Sequence, residues 1–136
     1  MSAHFILYVA EQARSRDFYR AALALEPQLD VLGMTEFRLS SDAVLGLMPE
    51  AGIRRLLGEA LRWEEAGSKV PRAELYLHVD DVAACHARAI RAGARELSAP
   101  QLRNWGDLVA YCADPDGHVL AFARHAEPPA PGDDPK

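Results

Sequence analysis

HFILYV (residues 4–9) and ELYLHV (residues 74–79) are the two stretches that decide the fold of this chain. Each concentrates apolar, β-branched and aromatic residues in the alternating order typical of a strand. They lie 70 residues apart, and Leu and Val recur at equivalent places. A second match, between Val44-Leu45-Gly46-Leu47 and Val119-Leu120-Ala121-Phe122, has an offset of 75. A period this long is too large for a solenoid and predicts duplication of one supersecondary unit.

The repeated unit is a strand, a helix and three further strands. A helical stripe follows the first strand, and its last apolar residue is Leu25, before Pro27. Strand-like stretches separated by turn residues come next, at residues 28–32, 35–40 and 43–48. The same order returns after residue 74, where Asp80-Asp81 precedes a second helical stripe that ends at Gly93. The sequence therefore predicts an α+β fold made of two tandem βαβββ modules.

We predict that both modules belong to one domain, because four strands and one helix make too small a core to be stable alone. The predicted boundaries are residues 1–125 for the domain, 4–49 for module one, 50–73 for a connector and 74–124 for module two. Apolar residues at helical spacing predict a short amphipathic helix in the connector. The eight strands are expected to form a cupped mixed sheet with the helices outside. Residues 126–136, rich in Pro and acidic residues, are predicted to be a disordered tail.

The composition excludes several classes of function. There are 15 basic and 20 acidic residues, a net charge of −5, so the chain lacks the basic surface that binds nucleic acid. No apolar stretch exceeds six residues, which predicts no membrane span. The first residues carry no secretory signal pattern, so we expect a cytoplasmic location. Cys85 and Cys112 are expected to be reduced, buried and structural.

The turn Asp114-Pro115-Asp116-Gly117 separates two strand-like stretches in the second module, Leu108 to Ala113 and His118 to Ala123. Together with the duplicated βαβββ pattern, the Phe18-Tyr19 pair and the strand-opening His4, it resembles the vicinal oxygen chelate superfamily. That group includes glyoxalase I, extradiol dioxygenases, and fosfomycin and bleomycin resistance proteins. The resemblance covers about residues 4–124 and implies a small molecule held in the sheet cleft and a homodimer.

The resemblance also implies where a metal would bind. In the metal-dependent families the ligands come from the first and last strands of each module, which here correspond to His4, Gly46, Glu74 and Ala121. Gly46 and Ala121 have no donor atoms, whereas catalytic zinc and non-haem iron keep three protein ligands. Tyr8 and His78 are four residues along their strands from His4 and Glu74, about 13 Å, too far to bind the same ion. We therefore predict no resident metal and keep His4 and Glu74 as candidate ligands.

These departures favour binding without chemistry, as in the bleomycin-binding members of the superfamily, which sequester an antibiotic and so confer resistance. A small hydrophobic or aromatic ligand is expected in a mixed apolar and aromatic cleft. The predicted ligand-binding residues are Tyr8, Met48, Tyr76, His78 and Trp105, with Trp63 as a further wall.

Two enzymatic alternatives stay open. His4 and Glu74 occupy equivalent places in the two modules, and a carboxylate beside the imidazole would make His4 a candidate general base. The same two residues, completed by water and a bidentate substrate, would instead form a two-ligand divalent metal site for a lyase, isomerase or dioxygenase. His86, His118 and His125 have no partner at metal-ligand spacing and are interpreted as surface or helix residues.

Overall fold

The computed structural model describes residues 1–61 and 71–126. The described elements form two compact units, unit 1 (Met1–Val70) and unit 2 (Pro71–Lys136). In chain order the elements are β1 (Ala3–Val9), α1 (Gln12–Leu23), β2 (Leu29–Val31), β3 (Met34–Ser40), β4 (Ala43–Pro49), α2 (Glu50–Leu57), β5 (Glu74–His78), α3 (Val82–Arg91), β6 (Arg95–Leu102), β7 (Asp107–Ala113) and β8 (Val119–His125). Trp63 and the predicted tail beyond Ala126 lie outside the described residues.

Each unit contains one four-stranded mixed sheet. The strand order is β1-β4-β3-β2 in unit 1 and β5-β8-β7-β6 in unit 2. In both sheets the first and last strands pair in parallel, and the other neighbours pair antiparallel. Ile6 pairs with Gly46 and Tyr76 pairs with Ala121, so the offsets of 70 and 75 lead to equivalent positions. The predicted α+β fold of tandem βαβββ modules is confirmed.

Helix α1 covers one face of the sheet in unit 1. Gln12 of α1 donates a hydrogen bond to the Thr35 hydroxyl at 2.9 Å, and Thr35 pairs with Leu47 in the sheet. Because successive strand residues point to opposite faces, Tyr8 and Met48 lie on the face opposite α1. The buried residues of α1 and of the face that it covers include Ser15, Phe18, Tyr19, Ala22, Thr35, Phe37, Leu45 and Leu47.

Helix α3 covers one face of the sheet in unit 2. Nε2 of His86 in α3 lies 2.9 Å from Oε1 of Glu96, and Glu96 pairs with Cys112. Tyr111, the neighbour of Cys112, therefore points to the face opposite α3. The buried residues of α3 and of the face that it covers are Val82, His86, Ala89, Ala110, Cys112, Leu120 and Phe122.

The helices follow the predicted pattern, with one difference at an end. Helix α1 stops at Leu23, before the predicted Leu25, because Ala24 turns left-handed at φ 53° and ends the helical run. The predicted connector helix is present as α2. None of the helices in residues 1–61 and 71–126 is both long and apolar enough to cross a membrane.

Candidate functional site

The face opposite α3 in unit 2 carries most of the predicted ligand-binding residues. Val109, Ala121 and Ala123 form a buried apolar floor, against which Tyr76 and Tyr111 pack. His78 follows Tyr76 at the same parity along β5, and their rings meet edge to face with centroids 5.4 Å apart. The structure thus places Tyr76 and His78 side by side on one surface.

Four polar side chains form a hydrogen-bonded group on this surface, which we name the Asp107 network: Tyr76, Trp105, Asp107 and His125. The Tyr76 hydroxyl donates to Oδ2 of Asp107 at 2.6 Å, and Nε1 of Trp105 donates to the same hydroxyl at 3.0 Å. Nδ1 of His125 lies 3.4 Å from Oδ1 of Asp107. Asp107 is only 9% exposed, whereas Trp105 is 56% exposed. An exposed indole fixed by a buried polar group is suited to contact a ligand.

The Asp107 network shifts the titration of its members. The hydrogen bond from Tyr76 lowers the pKa of Asp107, and His125 lowers it further, against the opposing effect of burial. Burial raises the pKa of Tyr76, and its hydrogen bond to Asp107 adds to the rise. At neutral pH the network therefore combines an ionised carboxylate with a neutral phenol. It offers carboxylate oxygens as acceptors, because the phenol proton is already used.

A second pair of side chains fixes the neighbouring part of this face. The guanidinium of Arg103 lies over the Tyr111 ring, 5.1 Å from its centroid. Nη2 of Arg103 donates to Oγ of Ser98 at 2.7 Å and to the Val109 carbonyl at 3.0 Å. Burial raises the pKa of Tyr111, and the nearby Glu74 carboxylate raises it further, while Arg103 opposes both. Arg103 therefore holds the Tyr111 ring in place on this face of the sheet.

A tight turn between β6 and β7 positions Trp105 beside Asp107. The Gly106 amide donates to the Arg103 carbonyl at 3.1 Å, and the Arg103 amide donates to the Asp107 carbonyl at 2.8 Å. Gly106 has φ +97°, a conformation that side-chain-bearing residues rarely adopt. Glycine at this position thus lets the chain reverse and presents Trp105 at the tip of the turn.

In unit 1 the predicted residues His4, Tyr8 and Met48 share the face opposite α1, by the alternation of β1 and the pairing of Tyr8 with Met48. Nδ1 of His4 lies 3.5 Å from Oε2 of Glu36, a carboxylate that the sequence analysis did not consider. The imidazole is about half exposed, and Glu36 is largely covered. His4 and Glu74 belong to different units, and their partnership stays a prediction.

Of the four metal positions implied by the resemblance, only His4 and Glu74 carry a side-chain donor atom. Gly46 pairs with Ile6, and the side chain of Ile6 occupies the place that a Cβ on Gly46 would take. Ala121 pairs with Tyr76 and is fully buried. Two of the four positions thus offer no donor atom, and apolar or aromatic side chains stand beside them. The residues present do not fit the metal site of the metal-dependent families.

The interpretation of His118 as having no partner at ligand spacing was wrong. Donor atoms of Asp114, Asp116 and His118 all lie within 4.8 Å of one another. Oδ1 of Asp114 accepts from the amides of Asp116 and His118 at 2.9 Å each, and Oδ2 lies 2.9 Å from Nδ1 of His118. Asp114 is buried, and its carboxylate stabilises the turn between β7 and β8. The arrangement is that of a capped turn.

The other two histidines also have partners, as described above: His86 is buried in α3 against Glu96, and His125 joins the Asp107 network. Sequence reasoning missed Asp107 because it began the strand at Leu108, one residue late. It missed His125 because it ended the last strand at Ala123, two residues early. Residues two apart along a strand point to the same face, so steps of two from Tyr111 back to Asp107 and from Ala121 on to His125 would have found both.

Comparison with known families gives one match, to the model described as a glyoxalase-like domain, over residues 4–123. Comparison with curated protein sequences gives no match.

Solved structures share the fold at low sequence identity. A glyoxalase-related enzyme from Fulvimarina pelagi has 22% identity and a TM-score of 0.74, with 92% of this chain and 88% of that chain covered. A glyoxalase/bleomycin resistance protein/dioxygenase family enzyme from Burkholderia phytofirmans has 16% identity and a TM-score of 0.76, with 90% and 96% covered. A glyoxalase/bleomycin resistance protein/dioxygenase from Nocardioides has 20% identity and a TM-score of 0.73, with 98% and 88% covered.

Proposed function

This chain belongs to the glyoxalase-like domain family, within the vicinal oxygen chelate superfamily, and from this membership we propose that it binds a small aromatic or hydrophobic molecule without a resident metal. The ligand lies on the face of unit 2 opposite α3. Tyr76, His78 and Trp105 contact its apolar part, and Asp107 accepts a hydrogen bond from it. Tyr8 and Met48 belong to unit 1, and their role in ligand binding stays a prediction from the sequence.

The observation that supports this proposal is the Asp107 network. A largely buried carboxylate is costly unless it is hydrogen-bonded, and here two ring-bearing side chains hold it beside an exposed indole. Apolar sites with a few fixed polar groups are the usual form of small-molecule sites. Because the Tyr76 hydroxyl already donates its proton to Asp107, the network can accept a further hydrogen bond at the carboxylate oxygens. The ligand should therefore carry an O–H or N–H donor next to its aromatic part.

Ligand binding is tested by a thermal-shift screen of aromatic antibiotics and metabolites, followed by calorimetry on the compounds that stabilise the protein. We expect one ligand per chain and no turnover. Tyr76→Ala should weaken binding by about tenfold, because an aromatic contact and the support of Asp107 are both lost. Asp107→Asn should weaken binding of donor-bearing ligands, while Asp42→Asn, which changes an exposed carboxylate in unit 1, should not. Unchanged affinity in both site variants would overturn the proposal.

The metal-free part of the proposal has its own test. Elemental analysis and titration with zinc, nickel, manganese and ferrous iron should give no stoichiometric ion, since Gly46 and Ala121 supply no donor. A stoichiometric ion that is lost in His4→Ala or Glu74→Ala would contradict this and favour the two-ligand metal enzyme. The predicted homodimer is tested by analytical ultracentrifugation, and the predicted cytoplasmic location by cell fractionation.

A metal-free acid–base enzyme is the second candidate function, and the pairing of His4 with Glu36 favours it. A carboxylate 3.5 Å from Nδ1 can orient the ring and leave Nε2 to move a proton. Glu74 stays the partner that the sequence predicts for His4. If any compound from the screen is converted, the rate should depend on pH as a bell and be abolished in His4→Ala. A rate that His4→Ala leaves unchanged would eliminate this candidate.

A further inference from the structure

Unit 1 contains an open pocket of about 390 Å³. It lies where the end of β4 meets α2 and the turn between β2 and β3. Its lining residues are Gly33, Met48, Gly52, Arg55 and Leu56. We propose that this pocket binds a small apolar carboxylate, with the carboxylate on the guanidinium of Arg55 and the apolar part between Met48 and Leu56. The volume falls in the range of small-ligand sites, about 300–1,000 Å³.

Gly52 is the first observation that points to a ligand. It lies inside α2, where glycine is less favourable than alanine because it loses more backbone freedom. Its backbone is helical, and a Cβ there would meet nothing closer than Cγ of Met48 at 3.7 Å, an ordinary contact. Neither a turn nor packing within the described chain requires glycine here. The missing side chain instead keeps the pocket wall open.

Arg55 is the second observation. It follows Gly52 by three residues, and its Nη2 lies 3.9 Å from the place of a Cβ on Gly52, so the guanidinium folds back along the helix to the pocket. Within the part of the chain that the structure describes, the side chain of Arg55 makes no hydrogen bond or ion pair. A guanidinium presents paired N–H donors that match a carboxylate. An anion in the pocket would give the Arg55 guanidinium a partner that the described residues do not provide.

The remaining lining is apolar and adaptable. Leu56 is 69% exposed, a large aliphatic side chain left in contact with solvent at the edge of the pocket. Met48 is flexible and fits irregular ligand surfaces. Gly33, in a turn at φ +97°, has open space where a side chain would point. These features select a ligand with a flat or branched apolar body and one negative end.

All the lining residues of this pocket belong to unit 1, and none of them is part of the Asp107 network of unit 2. The two proposals can therefore fail separately. The Gly33 and Gly52 amides report on the pocket of unit 1, and the indole N–H of Trp105 reports on the face of unit 2.

The test is a ¹H–¹⁵N NMR titration of the full chain with sodium 2-naphthoate and with its neutral isostere 2-naphthamide. We expect the Gly33 and Gly52 amides to shift, and naphthoate to bind about tenfold more tightly than the amide because of its charge-assisted contact. In Arg55→Gln the two compounds should bind equally. Arg91→Gln, which removes an exposed arginine from the last turn of α3, should keep the tenfold preference.

Gly52→Ala is a second, independent variant. It favours the helix and narrows the pocket, so both compounds should bind several-fold more weakly while the spectrum stays that of the folded protein. Naphthoate that leaves the Gly33 and Gly52 amides unshifted at millimolar concentration would overturn the proposal. An unchanged naphthoate preference in Arg55→Gln would overturn it as well. Shifts confined to the Trp105 indole would support the unit 2 site alone and count against this one.

Discussion

Two side chains from different strands reach the carboxylate of Asp107, Tyr76 from β5 and His125 from β8. Asp107 itself begins β7, beside a turn that requires Gly106. Its ionised form is favoured because the phenol donates to it and the imidazole lies near it. A single residue thus joins three elements of unit 2 and presents acceptor oxygens beside an exposed indole.

The first prediction concerns acid stability. The Asp107 pKa is lowered on folding, so its contribution to stability is present above the unfolded value, about 3.9, and is lost as the pH falls through the folded value. Tyr76→Phe removes the largest cause of this shift. We expect the pKa of Asp107 to rise in the variant and the free energy of unfolding to fall less steeply with decreasing pH below about pH 4. The measurements are carboxyl NMR titration and urea unfolding at several pH values; identical profiles would contradict the prediction.

At the scale of elements, the helices of the two units begin differently. Asp81 precedes α3, and its side chain accepts a hydrogen bond from the Ala84 amide at 3.0 Å. Glu11 precedes α1 and makes no such bond. Helix α1 instead relies on the buried pair Phe18 and Tyr19, whose rings pack edge to face at 4.9 Å. The hydrogen bond of the cap therefore contributes to the stability of α3, whereas α1 is stabilised by the packing of its aromatic pair in the core.

The second prediction follows from this difference. Asp81→Ala should lower the free energy of unfolding by about 1 kcal/mol, because one amide at the start of α3 loses its acceptor. Glu11→Ala is the matched control and removes only an exposed ion pair with Arg14, worth less than about 0.5 kcal/mol. Urea unfolding of both variants makes the comparison. Equal losses of unfolding free energy in the two variants would show that the hydrogen bond between Asp81 and the Ala84 amide adds no stability.

The duplicated units keep the same backbone arrangement, but they carry different side chains at equivalent positions of their sheets. Ile6 covers Gly46 in unit 1, whereas Tyr76 stands beside Ala121 at the equivalent place in unit 2.

On the face of the unit 2 sheet that α3 covers, Cys112 is fully buried, and burial raises its pKa to about 11. The stability of the molecule in alkali therefore depends on a thiol that has to remain protonated in the folded chain.

The third prediction is a loss of stability at high pH. The Cys112 pKa is raised on folding, so its contribution is complete below pH 9.0, the ordinary thiol value, and is lost as the pH rises towards about 11. The slope from this group is at most about 1.4 kcal/mol per pH unit. Cys112→Ala should be less stable at pH 7 because of the cavity, yet its stability should fall less steeply above pH 9. Unfolding at pH 8 to 11 tests this, and parallel curves would refute it.

The repeat and three site residues were predicted from the sequence, whereas two residues at strand ends were not. The offsets of 70 and 75 predicted that one unit occurs twice, and the structure pairs equivalent positions in the two sheets, Ile6 with Gly46 and Tyr76 with Ala121. Of the five predicted ligand-binding residues, Tyr76, His78 and Trp105 lie on or beside one face of unit 2, whereas Tyr8 and Met48 lie in unit 1. Asp107 and His125 were missed because pattern reading shortened β7 and β8 at their ends, where polar residues replace apolar ones.

The α+β class, the duplication, the order of the elements and the face on which each strand residue lies could all be predicted from the sequence. These follow from spacings of two to four residues and from one long repeat, all of which are visible in a linear chain. Three contacts are visible only in the folded chain: Tyr76 donates to Asp107, 31 residues away, His4 lies beside Glu36, and the Arg55 side chain folds back along α2 towards Gly52. Such contacts depend on strand register, turn geometry and side-chain direction, which neighbouring residues in sequence do not fix.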